Sequence, residues 1–191
     1  RNRQILLKVA QKCYLPATHL IRDLIHKHEG RFRVAFSLTG CIVEQFRDDC
    51  AQMIDLLQEL AATGCVEFLS ETYYHSLGFL YSRDEFIAQV DLHTRLMQDL
   101  FDQRPAVFRN TELIYSNDLA AWAGTSGRYL AVLAEGADHI LQGRSPNYVY
   151  TPPGTTDSPK VKLLLKNYRL SDDIAFRFSN REWDDWPLTA D

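Results

Sequence analysis

The sequence predicts an α/β fold in which parallel strands alternate with helices, and three observations carry that expectation. Short apolar runs recur at residues 31–38, 65–70, 106–109, 129–134 and 161–165, each of strand length. Longer segments between them repeat apolar residues at intervals of three and four, the period of an amphipathic helix. Most of the apolar runs end abruptly in Ser, Thr, Gly, Asn or charged residues, the punctuation of a strand leaving a buried sheet. Strand, helix, strand in regular alternation is the pattern of a parallel sheet covered by helices.

Taken in order, residues 1–13 place Ile5, Leu6, Leu7 and Val9 among Lys and Gln, a helical lead-in. Pro16 suits a helix first turn, and Leu20, Ile21, Leu24 and Ile25 form a stripe closed by Gly30. His19, His26 and His28 around this helix read as surface or partly buried side chains rather than metal ligands. After the first strand and Thr39-Gly40, the set Ile42, Phe46, Met53, Ile54, Leu57 and Leu60 predicts one amphipathic helix over 42–61. Gly64 stands where a helix C-terminal glycine belongs. Ser82 and Glu85 have capping-box spacing, and Phe86, Val90, Met97 and Leu100 line the helix that follows as far as Pro105. Ser116 or Asn117 caps a shorter helix carrying Leu119, Ala120 and Trp122. Residues 142–160 are turn-rich around Tyr148-Val149-Tyr150, and 161–165 form the fifth main strand. Ser171 can cap a short helix, although the alternation Ile174, Phe176, Phe178 equally allows a strand.

The gross composition narrows the function classes. A chain of 191 residues with 46% hydrophobic and 12% aromatic residues suits one domain with a substantial core. A net charge of −4 argues against a nucleic-acid partner, because phosphate neutralisation needs clustered Lys and Arg. No apolar run approaches the roughly 20 residues of a membrane span, so no membrane association is expected. The four cysteines form no C-x-x-C pair and lie in or beside apolar segments, which favours reduced thiols and a cytoplasmic setting over disulfides or zinc. No cofactor and no metal are expected.

In a parallel α/β sheet the strand exits share one face, and chemistry collects there. That face receives Ser37 and Thr39, then Glu67 or Glu71 with Tyr73, Tyr74 and His75. Arg109 and Glu112 follow, then Glu135, then Asn167 with Asp172 and Asp173. Paired carboxylates are the toolkit of glycoside hydrolysis, one as acid or base and the other as nucleophile or base. Aromatic rings add flat apolar surfaces for the C–H side of a sugar. Glu67 reads either as a core carboxylate paired to Arg109 or as a ligand group. Glu112 is the strongest catalytic candidate, because a strand exit needs no carboxylate to fold.

Three stretches carry a family resemblance: Gly64-Cys65-Val66-Glu67 continuing to Tyr73-Tyr74-His75, Phe108-Arg109-Asn110-Thr111-Glu112-Leu113-Ile114-Tyr115, and Leu170-Ser171-Asp172-Asp173-Ile174-Ala175-Phe176-Arg177-Phe178-Ser179. The sequence resembles glycoside hydrolase family 57, α-amylase-like retaining enzymes acting on α-glucans. The resemblance covers nearly the whole chain. It implies an incomplete (β/α)7 TIM-like barrel, of which residues 1–191 are a partial catalytic domain lacking the first strand and the last strands. It implies Glu112 as nucleophile of a glycosyl-enzyme intermediate, and Glu67, His75, Tyr74, Arg109 and Asp173 as substrate-binding residues. The implied partner is an α-glucan or oligosaccharide substrate; oligomeric state stays open. The family's opening His-Gln-Pro motif does not occur here, and its general-acid Asp falls outside the chain, so the isolated fragment is expected to be inactive. The alternatives are a non-catalytic α-glucan-binding relative and a metal-dependent polysaccharide deacetylase. Hydrolase, transglycosylase and branching activities are not separable from these residues.

Overall fold

In a computed structural model the described residues are 1–153 and 161–189. Part of the predicted turn-rich tract, 154–160, and the last two residues of the tail lie outside them. The chain divides into two units, Arg1–Thr111 and Glu112–Asp191.

The first unit opens with α1 (Asn2–Val9), a π turn (Ala10–Tyr14) and α2 (Leu15–Lys27) in one continuous helical run. Pro16 stands in the first turn of α2, as the sequence suggests, although the helical run is continuous through it. Proline lacks an N–H and crowds the carbonyl four residues back, and the wider π turn immediately before α2 relieves both. Strand β1 (Val34–Phe36) pairs in parallel with β2 (Val66–Phe68), with Val34 opposite Val66 and Phe36 opposite Phe68. Strand β3 (Val107–Arg109) joins through a parallel bridge between Ser70 and Phe108. There the Ser70 N–H donates to the Val107 carbonyl at 2.9 Å, and the Arg109 N–H donates to the Ser70 carbonyl at 2.8 Å.

The predicted single helix over 42–61 is two, α3 (Gly40–Asp49) and α4 (Ala51–Ala62), broken at Cys50 with φ −149° and ψ 57°. Arg47, Asp48, Asp49 and Cys50 contribute no fully buried side chain, and the two Asp have low helix propensity, so nothing holds a helix through them. After α5 (Gly78–Tyr81), helix α6 (Arg83–Phe101) forms as expected. Ser82 Oγ accepts from the Glu85 N–H at 3.3 Å, which is half of the capping box; the Glu85 carboxylate accepts from Gln89 Nε2 at 2.7 Å instead. Phe68 is fully buried, stacked on Phe101 at 4.2 Å and on Phe36 at 6.2 Å, in a core with Leu57, Leu60 and Met97. Val66 and Phe68 face these helices. The two-residue period of a strand therefore turns Ala35 and Glu67 to the opposite face.

In the second unit Ser116 caps α7 (Asn117–Thr125), accepting from the Leu119 N–H at 3.2 Å. Strand β4 (Ala131–Glu135) pairs in parallel with β6 (Lys162–Lys166), Ala131 opposite Lys162 through Glu135 opposite Lys166, with α8 (Asp138–Leu141) between them in sequence. The Tyr148–Tyr150 segment supplies a short strand, β5 (Val149–Tyr150), antiparallel to β6. Ser171 is not the cap of the final helix. Asn167 is, its Oδ1 accepting from the Leu170 N–H at 3.1 Å, and α9 (Tyr168–Asp172) runs into a π turn (Asp173–Arg177). Residues 174–177 are therefore helical, and the strand alternative does not form. No described helix is long and apolar enough to cross a membrane.

Candidate functional site

The exits of β1, β2 and β3 converge on one carboxylate, Glu71. Counting by twos from Glu67 puts Leu69 and Glu71 on the same face of the extended chain. The Ser70–Phe108 bridge then sets Glu71 level with Arg109. Glu71 is buried, 2% exposed, yet charged-group chemistry surrounds it. Ser37, one residue past β1, donates Oγ–H to Glu71 Oε1 at 2.6 Å. His75 Nδ1 lies 3.7 Å from Glu71 Oε2. Arg109 Nη1 donates to Ser37 Oγ at 3.5 Å, so the guanidinium reaches the carboxylate through the hydroxyl.

The loop carrying Glu71 and His75 is locked from below. Thr72 and Thr111, both buried, share a hydrogen bond of 3.1 Å between their hydroxyls. Thr111 Oγ1 donates to the Ser76 carbonyl at 2.7 Å, and the Ser76 N–H donates to Thr72 Oγ1 at 2.9 Å. Helix α6 contributes Gln89, whose Oε1 accepts from Ser76 Oγ at 2.8 Å. His75 sits in this loop with φ +54°, a left-handed conformation unusual for a non-glycine residue.

Tyr73 and Tyr74 divide their work. Tyr73 is buried, donates to Glu44 Oε1 at 2.6 Å, and burial with that carboxylate pushes its hydroxyl far above the usual range. Its ring fills the space a side chain at Gly40 would need, 2.4 Å from where a Cβ would stand. Tyr74 is 54% exposed with its ring edge-on to Tyr73 at 4.9 Å, an open aromatic surface.

Glu67 stands apart from this cluster. It is four residues upstream of Glu71, roughly 13 Å along extended chain. It forms no hydrogen bond or ion pair among the described residues, and burial raises its carboxyl pKa. A carboxyl raised in the folded state is easier to keep protonated there than in the unfolded chain. Stability from this group is therefore present below its unfolded pKa and lost as pH rises through the folded one. Glu67→Gln is expected to raise the urea midpoint at about pH 7 and to change it little at about pH 4. An equal effect at both pH values would contradict the desolvation account.

The residue that sequence reading passed over is His93 of α6, fully buried. Its Nε2 donates to the Leu38 carbonyl at 2.8 Å at the exit of β1. Burial holds its pKa below the ordinary histidine value, against the opposing pull of the Leu38 bond and of Glu71. The signal was present: Phe86, Val90, His93 and Met97 share one helical stripe, and a histidine in an apolar stripe marks a polar partner behind it.

Glu112 follows Thr111 in the chain and begins the second unit. It is exposed, with φ +54° and ψ +23°, and Leu113 follows at φ +56°. Two consecutive left-handed non-glycine residues at a strand exit store backbone strain, which clusters at functional positions. Elsewhere in this unit Asp173 pairs with Arg177 one helical turn on, and Glu135 pairs with Lys166 at 3.5 Å across the β4 and β6 exits. Among the described residues no three His, Cys, Asp or Glu side chains gather as a metal site would need.

Comparison with known proteins agrees with this architecture. The sequence model of glycosyl hydrolase family 57 matches residues 1–191. A protein of Methanocaldococcus jannaschii described as "Putative alpha-amylase" is 46% identical over 191 residues, all of this chain and 39% of that protein's length. The chain thus spans well under half of the curated relative it matches. The crystal structure of a 4-alpha-glucanotransferase from Thermococcus litoralis superposes with a TM-score of 0.75 at 14% identity, covering 91% of this chain and 26% of that one. A structure described as "putative polysaccharide deacetylase", from Mycobacterium smegmatis, superposes with a TM-score of 0.60 at 11% identity, covering 91% and 52%. At such identities the two structures speak to fold alone. The family match over every residue, together with the 46% identical relative, goes further: this chain belongs to glycosyl hydrolase family 57.

Proposed function

We propose that this chain is part of the catalytic domain of a retaining glycoside hydrolase acting on α-glucans, within an incomplete (β/α)7 barrel, and that Glu112 is its nucleophile. The observation that carries the reading is Glu112 itself, an exposed carboxylate held in a left-handed conformation at a strand exit, in a chain of this family. Glu112 attacks the anomeric carbon. A second carboxyl group, about 5 Å away in a retaining enzyme, protonates the leaving oxygen and later activates water. Arg109, whose guanidinium donates to the Ser37 hydroxyl at the β3 exit, is assigned to substrate binding. His75, Tyr74, Glu67 and Asp173 serve substrate binding, with Tyr74 offering its exposed ring to a sugar face.

Retention has a direct test. With the full-length protein and a maltooligosaccharide, proton NMR should show the α-anomer of the new reducing end forming first. A first-formed β-anomer would overturn the retaining mechanism and with it the nucleophilic role of Glu112. A second reading is metal-dependent removal of acetyl groups from a polysaccharide, a reaction that the shared fold does not by itself distinguish. Acetate release that chelator abolishes and Glu112→Gln does not would favour it. Glucan binding with no turnover at all would favour a non-catalytic relative.

A further inference from the structure

The second unit carries a cleft of its own, distinct from the Glu71 cluster in residue content. At the exits of β4 and β6 a depression of ≈ 470 Å³ is lined by Asp138, Arg144, Ser145, Asn167, Tyr168 and Arg169, among others. A neighbouring depression of ≈ 520 Å³ is lined by Glu135, His139, Lys166 and Asp172, and shares Asp138 and Tyr168 with the first. Both have the size of small-molecule sites, and both lie where parallel strands place their ligands.

The chemistry of the shared wall is specific. Tyr168 donates its hydroxyl hydrogen to Asp138 Oδ2 at 2.9 Å, and Arg169 Nη2 donates to the same oxygen at 3.0 Å. Oδ1 of Asp138 takes no hydrogen bond from the described residues, so one carboxylate oxygen is oriented and available. Guanidinium donors beside it, and the half-buried Tyr168 ring, complete a surface that can accept from one hydroxyl, donate to its neighbour and cover an apolar C–H face. The rim is ordered in advance. Arg144 Nε donates to the Leu141 carbonyl at 2.8 Å, Tyr150 Oη donates to the Ser145 carbonyl at 2.6 Å, and Asn167 Nδ2 donates to Asn147 Oδ1 at 3.2 Å. The charges of the two depressions balance: Glu135, Asp138 and Asp172 against Arg144, Lys166 and Arg169. A balanced lining disfavours an anion such as phosphate and suits a neutral, hydroxyl-rich ligand.

We infer that the cleft around Asp138, Tyr168 and Arg169 is a sugar subsite, binding a glucose unit of an oligosaccharide through a vicinal hydroxyl pair. The choice of an α-glucan as the sugar rests on the proposed function; the hydroxyl-recognising chemistry does not.

The test uses the full-length protein carrying Glu112→Gln, so that no ligand is consumed, with maltotetraose as probe. Hydrogen–deuterium exchange should slow on maltotetraose addition in peptides covering 136–147 and 166–172. Asp138→Asn and Arg169→Ala should each weaken that protection, shifting its titration midpoint at least about tenfold, the scale expected of a lost charged hydrogen bond. Both side chains are exposed, so neither substitution threatens the fold. Unprotected peptides, or midpoints unmoved by both variants, would overturn the subsite. Displacement of maltotetraose from these peptides by millimolar inorganic phosphate would overturn the neutral-ligand assignment. Protection sensitive to Asp138→Asn, with no Glu112-dependent turnover in the unsubstituted protein, would remove the proposed function and leave the subsite standing. Glu112-dependent turnover without such protection would do the reverse.

Discussion

Glu112→Gln in the full-length protein is expected to lower α-glucan turnover by on the order of 10⁴-fold or more, the scale seen when a covalent nucleophile is removed. Glutamine has the same shape and can hold the same left-handed backbone, but its amide forms no glycosyl ester with the anomeric carbon. Folding and sugar binding should persist, because Glu112 is exposed and fills no core space. A companion variant separates chemistry from conformation. Glu112 at φ +54° carries a backbone strain of about 1 kcal/mol relative to glycine. The Thr72–Thr111–Ser76 hydrogen bonds anchor the residue immediately before it. Glu112→Gly should therefore abolish turnover and be more stable than Glu112→Ala, which also removes the side chain, by about 1 kcal/mol. Turnover retained in Glu112→Gln would remove the residue from its role, and a Glu112→Gly no more stable than Glu112→Ala would show that the conformation is not strained.

The largest single effect on stability is expected from Gly136→Ala. A Cβ at Gly136 would stand 2.2 Å from the Lys166 carbonyl oxygen and 3.0 Å from Pro146 Cβ. The first neighbour is backbone, in a residue paired with Glu135 in the parallel ladder, so it cannot rotate aside as a flexible side-chain end would. Overpacking against fixed atoms costs about 3 kcal/mol or more at its upper range. Urea denaturation of Gly136→Ala should show a loss of that size, and exchange protection of β4 and β6 should fall with it. Gly64→Ala is the control: its Cβ would meet nothing within 4 Å, leaving only the cost of φ +68°. Gly136 has no left-handed φ, so a loss at 136 no larger than at 64 would show that the strands do not approach as closely there as the geometry requires.

The errors of sequence reading are as informative as its successes. Helical periodicity continues in phase from Phe46 to Met53, and a pattern that keeps phase cannot reveal a break at Cys50. Ser171 with Asp172 and Asp173 has the composition of a helix start, yet Asn167 has it too, and only backbone geometry chooses between them. Tyr73 and Tyr74 are indistinguishable as neighbours in sequence. One became a buried support under Gly40 and the other an exposed ring. Glu67 and Glu71 also looked equivalent, because alternation places both on the same face of a strand. Which of them meets Ser37, His75 and Arg109 depends on how far each strand extends and where β3 bridges β2.

The sequence by itself determined the fold class and the family, because apolar period and strand-exit motifs are local properties that survive without coordinates. It also singled out Glu112 as the catalytic candidate, on the argument that a strand exit needs no carboxylate to fold. Only the tertiary structure decided that Glu71 is the hub of the first three exits, that His93 stands buried beside it, and that Asp138 shares a cleft with Tyr168 and Arg169. These depend on strand register and on contacts between residues up to 72 apart in sequence, such as Ser37 and Arg109. Local pattern carries no information about such distances.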